Sequence, residues 1–77
     1  MKYFVALMTF SPVKADGGRD TIEVEVEARF KFEADAREYC RRKNASTLIE
    51  TLNSQGLNYF QYHVLTNKEI KAYRESI

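Results

Sequence analysis

The chain has 77 residues, a formal net charge of +1, an apolar fraction of 44% and a charged fraction of 30%. That is the composition of one ordinary globular domain, and a chain this short buries only about 60% of the surface its unfolded form exposes. A thin core leaves no room for a deep catalytic cleft with its supporting shell. Near-neutrality argues against an acidic nucleic-acid mimic and gives little general attraction to long nucleic acid.

One cysteine, Cys40, suits a reducing compartment better than a secreted disulfide scaffold, so a cytoplasmic protein is expected. Met1-Lys2 and the apolar run Tyr3 to Met8 look faintly like a signal start. No small-residue cleavage site follows, and the run is far too short to span a bilayer.

Residues 2 to 10 predict a strand. Phe4, Ala6, Met8 and Phe10 share one face and Tyr3, Val5 and Leu7 the other. Both faces are apolar, so the strand should be central and covered on both sides. Residues 11 to 20 form an exposed, mobile loop: Pro12 ends the ladder, and Asp16-Gly17-Gly18 offers positive-φ positions for a turn.

Thr21 to Phe32 is the clearest pattern in the chain. Ile22, Val24, Val26, Ala28, Phe30 and Phe32 alternate with Glu23, Glu25, Glu27, Arg29 and Lys31, the period of a strand with one greasy face. It should return antiparallel to the first strand, with Ile22, Val24 and Val26 beneath the following helix.

That helix is predicted to begin between Glu33 and Ala36, with Asp35 and Glu38 as a capping box. Ala36, Tyr39, Cys40 and Lys43 share its inner face. Arg41-Arg42-Lys43 complement the C-terminal dipole, and Asn44 suits a left-handed stop. One rod cannot continue to Leu52, because Leu48, Ile49 and Leu52 would project opposite Ala36 and Cys40. β-Branched Thr47, Ile49 and Thr51, a turn at Asn53–Gly56 and the Tyr/Phe-rich stretch Leu57 to Leu65 favour a second hairpin over residues 46 to 65. The rival is a helix from Ser46 to Ser54 stopped by Gly56. Thr66-Asn-Lys-Glu69 is a further capping box, and Ile70, Tyr73 and Ile77 mark a short amphipathic terminal helix.

The expected fold is therefore α+β, a single domain over residues 1–77, in the order ββαββα. A four-stranded antiparallel sheet packs on one main helix, with a short C-terminal helix beside it. If Phe4 and Met8 face the main helix, Tyr3, Val5 and Leu7 face away. The terminal helix covers them, or they form an interaction surface for a partner protein or a second copy of the chain.

No catalytic constellation is present. Cys40 and His63 are a conceivable thiol–imidazole pair, but no Asp or Asn is tied to them by spacing, and an inward Cys acts as a small apolar residue. One His and one Cys make no metal cluster. Glu23, Glu25 and Glu27 form a row about 7 Å apart, from the strand rise, but with Arg29 and Lys31 beyond them the row reads as a solvated face. Gly17-Gly18 lacks the phosphate-loop frame. No catalytic residue, metal or cofactor is expected.

Charge points instead to binding. Arg37, Arg41, Arg42 and Lys43 form one basic group, Lys14 and Arg19 another in the loop, and Lys68, Lys71 and Arg74 a third. Tyr59, Phe60 and Tyr62 on a strand resemble a base-stacking platform, though no RNP-like run accompanies them. The candidate partner-binding residues are Lys14, Arg19, Arg37, Arg41, Arg42, Lys43, Tyr59 and Tyr62.

The run V-E-A-R-F-K-F-E-A-D-A-R-E-Y-C at residues 26–40, with L-I-E-T-L-N-S-Q-G-L at residues 48–57, resembles small phage-encoded anti-CRISPR proteins built as hairpin, helix and hairpin. The helix after Leu65 departs from the simplest version of that pattern. The resemblance implies a non-enzymatic inhibitor in the host cytoplasm that binds a CRISPR complex and blocks its access to DNA. The alternative is a small nucleic-acid-binding domain using the basic helix end and the tyrosine-rich strand.

Overall fold

The computed structural model describes residues 2–56 and 58–77. Three strands, β1 (Tyr3–Phe10), β2 (Thr21–Phe30) and β3 (Tyr59–Leu65), and three helices, α1 (Glu33–Asn44), α2 (Thr47–Gln55) and α3 (Asn67–Ser76), follow one another as ββααβα. The sheet has strand order β2-β1-β3, all antiparallel. The sheet is therefore three-stranded, not four-stranded, and the expected second hairpin does not form.

The correction lies at residues 47–55, which are helical. The objection to a single rod stands, but the chain meets it with a break at Ala45–Ser46 that resets the helical phase. The Ser46 hydroxyl accepts from the Ile49 N–H, a side-chain cap that starts α2, and Ile49 then points inward and is buried. Packing of one inward face overrides the modest strand preference of Thr47, Ile49 and Thr51. Leu57, expected to begin the returning strand, lies outside the described residues.

β1 is central, as its two apolar faces require. Phe4, Ala6 and Met8 meet Val24, Leu65 and Ile70 on the α3 side; Val5 meets Ala36, Ile49 and Tyr62 on the α1/α2 side. The side expected to be left over is thus the side α1 covers: Val5 is fully buried and Leu7 half-buried. Burying a side chain of that size contributes about 1.5–3 kcal/mol.

The greasy face of β2 is split. Val5 pairs with Ala28 and Ala6 with Val26, so Glu27 is an extra residue; Ile22 is another, between the pairs Thr9–Glu23 and Phe10–Thr21. The bulge at Glu27 changes the parity of the strand. Val24 and Val26 pack beneath α3, whereas Phe30 packs with Tyr39 beneath α1. The expectation that Ile22, Val24 and Val26 lie under the first helix is therefore wrong, and Ile22 is 41% exposed.

Two caps also differ. α1 begins after Phe32 with no side-chain cap, and Glu38 pairs with arginines rather than with a backbone N–H. No described non-glycine residue has positive φ, so Asn44 is not a left-handed stop; it is the last residue of α1. The Thr66–Glu69 box does form: the Glu69 N–H donates to the Thr66 hydroxyl and the Thr66 N–H to the Glu69 carboxylate. In the loop, Gly17 takes the positive φ of 87°, and Asp16 accepts from the Gly18 N–H.

Candidate interaction edges

A three-stranded sheet has two edges, and this chain treats them differently. On β3, the Asn44 side chain donates to the Tyr62 carbonyl at 3.0 Å and accepts from the Tyr62 N–H at 2.7 Å. Asn53 does the same for Phe60, at 3.1 and 2.7 Å. Each carboxamide presents a donor and an acceptor side by side, as a neighbouring strand would, so two side chains stand in for a fourth strand. The Cys40 thiol adds a donation to the Tyr62 carbonyl at 3.2 Å.

These caps also fix the ladder. In an antiparallel sheet a residue sends its N–H and C=O to the same side. Phe60 and Tyr62 send theirs outward, so Tyr59, Gln61, His63 and Leu65 bond to β1. Their partners Phe4, Ala6, Met8 and Phe10 bond to β3, which leaves Val5, Leu7 and Thr9 to bond to β2. The residues of β2 opposite Ala6 and Met8, Val26 and Val24, then send their backbone groups out to the open side. No described side chain bonds to them. Between the two bulges the segment Glu23–Val26 is regular and exposes the charges of Glu23 and Glu25 on the α1/α2 side.

The carboxylate at the Glu27 bulge ties β2 to α1. It accepts from the Tyr39 and Tyr62 hydroxyls at 3.2 Å each and pairs with Lys43 at 3.6 Å. Burial first, and then the Glu27 charge, push both tyrosines up, so they keep their protons and donate.

The sequence-predicted contact residues do not come together as a free basic patch. Arg41 and Arg42 both pair with Glu38, Arg37 pairs with Glu33, Lys14 with Asp20 and Lys43 with Glu27. The two arginines hold the Glu38 carboxyl at about 2, well below its usual range. Arg19 lies over the Tyr59 ring, which also packs on Phe10, and Tyr62 is 2% exposed. Tyr59 and Tyr62 therefore do not present one open stacking face. Arg37 and Arg41 line a cleft of about 550 Å³ between α1 and the β3 edge, where Arg37 is ion-paired to Glu33 and Arg41 to the Glu38 that Arg42 shares.

Unpaired cations gather elsewhere. Lys2, Lys31 and Lys68 have no carboxylate at ion-pair distance among the described residues. Lys2 and Tyr3 share one cleft with Lys31 and Phe32 and an adjoining one with Lys68. Phe32 is 61% exposed. Sequence reasoning placed Lys68 with Lys71 and Arg74 and missed this grouping, because its members lie before β1, after β2 and in the first turn of α3 and only the fold brings them together.

Cys40 and His63 lie on opposite sides of the sheet. Cys40 packs with Val5 and Tyr62 under α1, while His63 stands opposite Ala6 with its ring steeply inclined to that of Phe10. Burial pushes the Cys40 thiol up and the His63 imidazole down, and His63 Nε2 has no hydrogen-bond partner. Among the described residues no three His, Cys, Asp or Glu side chains converge as metal ligands do, and no helix is long and apolar enough to cross a membrane.

The chain matches no family model, no curated protein and no solved structure.

Proposed function

We propose that this chain is a small non-enzymatic binding protein that takes an extended segment of a partner protein along the outer edge of β2. The observation that carries this reading is the contrast between the edges: two asparagines occupy the outward groups of Phe60 and Tyr62 on β3, whereas those of Val24 and Val26 on β2 meet no side chain among the described residues. An exposed edge recruits strands through main-chain hydrogen bonds. A phage-encoded inhibitor that blocks a host complex, the role implied by the resemblance to anti-CRISPR proteins, is one form such a protein takes. Residues 48–55 are helical, so the hairpin-helix-hairpin layout adds no support to that role.

Val26→Pro removes one outward N–H from an edge strand, where proline is tolerated. The variant should keep its circular dichroism spectrum and lose a partner that the unmodified chain retains from host lysate. No retained macromolecule, or equal retention by the folded variant, would overturn the reading.

A second reading rests on Lys2, Lys31, Lys68 and Phe32: single-stranded nucleic acid, with phosphates on the lysines and a base on the exposed Phe32 ring, whose centroid lies 5.7 Å from the Lys31 ammonium. Binding that weakens steeply with salt and is lost in Lys31→Glu would support it, and no binding at low salt would end it.

A further inference from the structure

From the charge pattern of the open edge we infer the chemistry of its occupant: an extended segment that alternates Lys or Arg with Val, Ile or Phe, and not a second copy of this chain. The inference rests on the edge-binding reading above and names the partner for that site.

Residues directly opposite each other in adjacent strands share a face of the sheet. A strand added beside Glu23–Val26 therefore sets one set of alternate side chains against Glu23 and Glu25, and the other set beside Val24 and Val26. The first two carry carboxylates with no cation at ion-pair distance among the described residues. The second two are apolar and adjoin the core under α3. Basic residues satisfy the first pair, and aliphatic or aromatic ones extend the second.

A second copy added antiparallel fails the same test in every register. An antiparallel pair of identical strands has a two-fold axis perpendicular to the sheet. With the axis on Glu23 or Glu25, that glutamate faces itself. With the axis on Val24, Glu23 faces Glu25 in both copies; with the axis on Val26, Glu25 faces the bulged Glu27. Like charges directly opposite are destabilising. The two bulges at Ile22 and Glu27 confine regular pairing to the four residues between them, which excludes longer, less discriminating additions.

The experiment uses the full chain, labelled with nitrogen-15, and three capped synthetic strands: alternating Lys-Val, Thr-Val and Glu-Val. Amide shifts at Val24 and Val26 locate the binding, and titration gives its strength. Opposite-charge pairs across strands contribute about 0.2–1 kcal/mol each. Two such pairs make the Lys-Val strand bind about 2- to 30-fold tighter than Thr-Val, with Glu-Val weakest. Glu23→Lys with Glu25→Lys should reverse that order while leaving the fold unchanged. Equal binding of all three strands at the edge would overturn the inference on chemistry and leave the edge reading standing. No shift at Val24 and Val26 with any strand would overturn the edge reading itself. A dimer in solution with these amides protected would overturn the exclusion of a second copy.

Discussion

The two edges of the sheet solve one problem in opposite ways. On β3 the outward backbone groups of Phe60 and Tyr62 are answered from within, by Asn44 at the end of α1 and Asn53 in α2. On β2 they are left to the surroundings, and the strand carries instead two bulges and a row of charge. Bulges and charges are the usual protection of an edge that must not pair indiscriminately. The difference shows where this small molecule has spent its helices: α1 and α2 cap β3 at Phe60 and Tyr62 while covering the sheet, and α1 reaches across to β2 through Tyr39 and Lys43 on Glu27 and through Tyr39 on Phe30.

The comparison breaks most visibly if the caps are removed. Asn44→Ala with Asn53→Ala strips two hydrogen bonds from each of two half-buried or buried residues, at about 1–3 kcal/mol for each stranded group. Urea unfolding should show a loss of several kcal/mol in the double variant. Glu23→Gln with Glu25→Gln, on the open side, should change stability by no more than about 0.5 kcal/mol. Equal losses would mean that the asparagines do not act as a strand. Glu27→Ala comes next, at about 1–3 kcal/mol, because two hydroxyls then lose their acceptor. Thr66→Ala tests the capping box of α3 at about 1 kcal/mol by the same measurement.

Two smaller effects read the pH dependence of each side. Burial lowers the His63 pKa below its usual 6.5, so the unfolded chain binds more protons there, and stability falls as pH drops through about 6.5. His63→Leu should flatten that part of the stability curve. Glu38 has its pKa lowered from 4.5 to about 2, so any contribution it makes is present above pH 4.5 and fades between 4.5 and 2. Glu38 is fully exposed, so Glu38→Gln should alter the acid limb only slightly, and less at high salt.

Much of this fold was legible in the residues. β1 announced its central place through two apolar faces, and Thr66–Glu69 announced the start of α3. Residues 47–55 were misread because β-branched side chains were weighed above the Ser46 cap, although the helix was the stated rival. The bulge at Glu27 was illegible, since an extra residue in one strand has meaning only against its partner. The same holds for Asn44 and Asn53, whose partners lie 18 and 7 residues away and meet them only after the helices dock. The ion pairs of the arginines, by contrast, could have been found: Glu33 and Glu38 stand at ion-pair spacing from Arg37, Arg41 and Arg42 on one helix.

Native-state amide hydrogen exchange tests the contrast between the edges most directly. The account expects the Phe60 and Tyr62 amides to exchange as slowly as those of the inner ladder, because side-chain carboxamides hold them. The Val24 and Val26 amides should exchange orders of magnitude faster in the free chain. Equal protection at Val24 and Tyr62 would contradict it, for then β2 would already be sealed and no partner strand could add there.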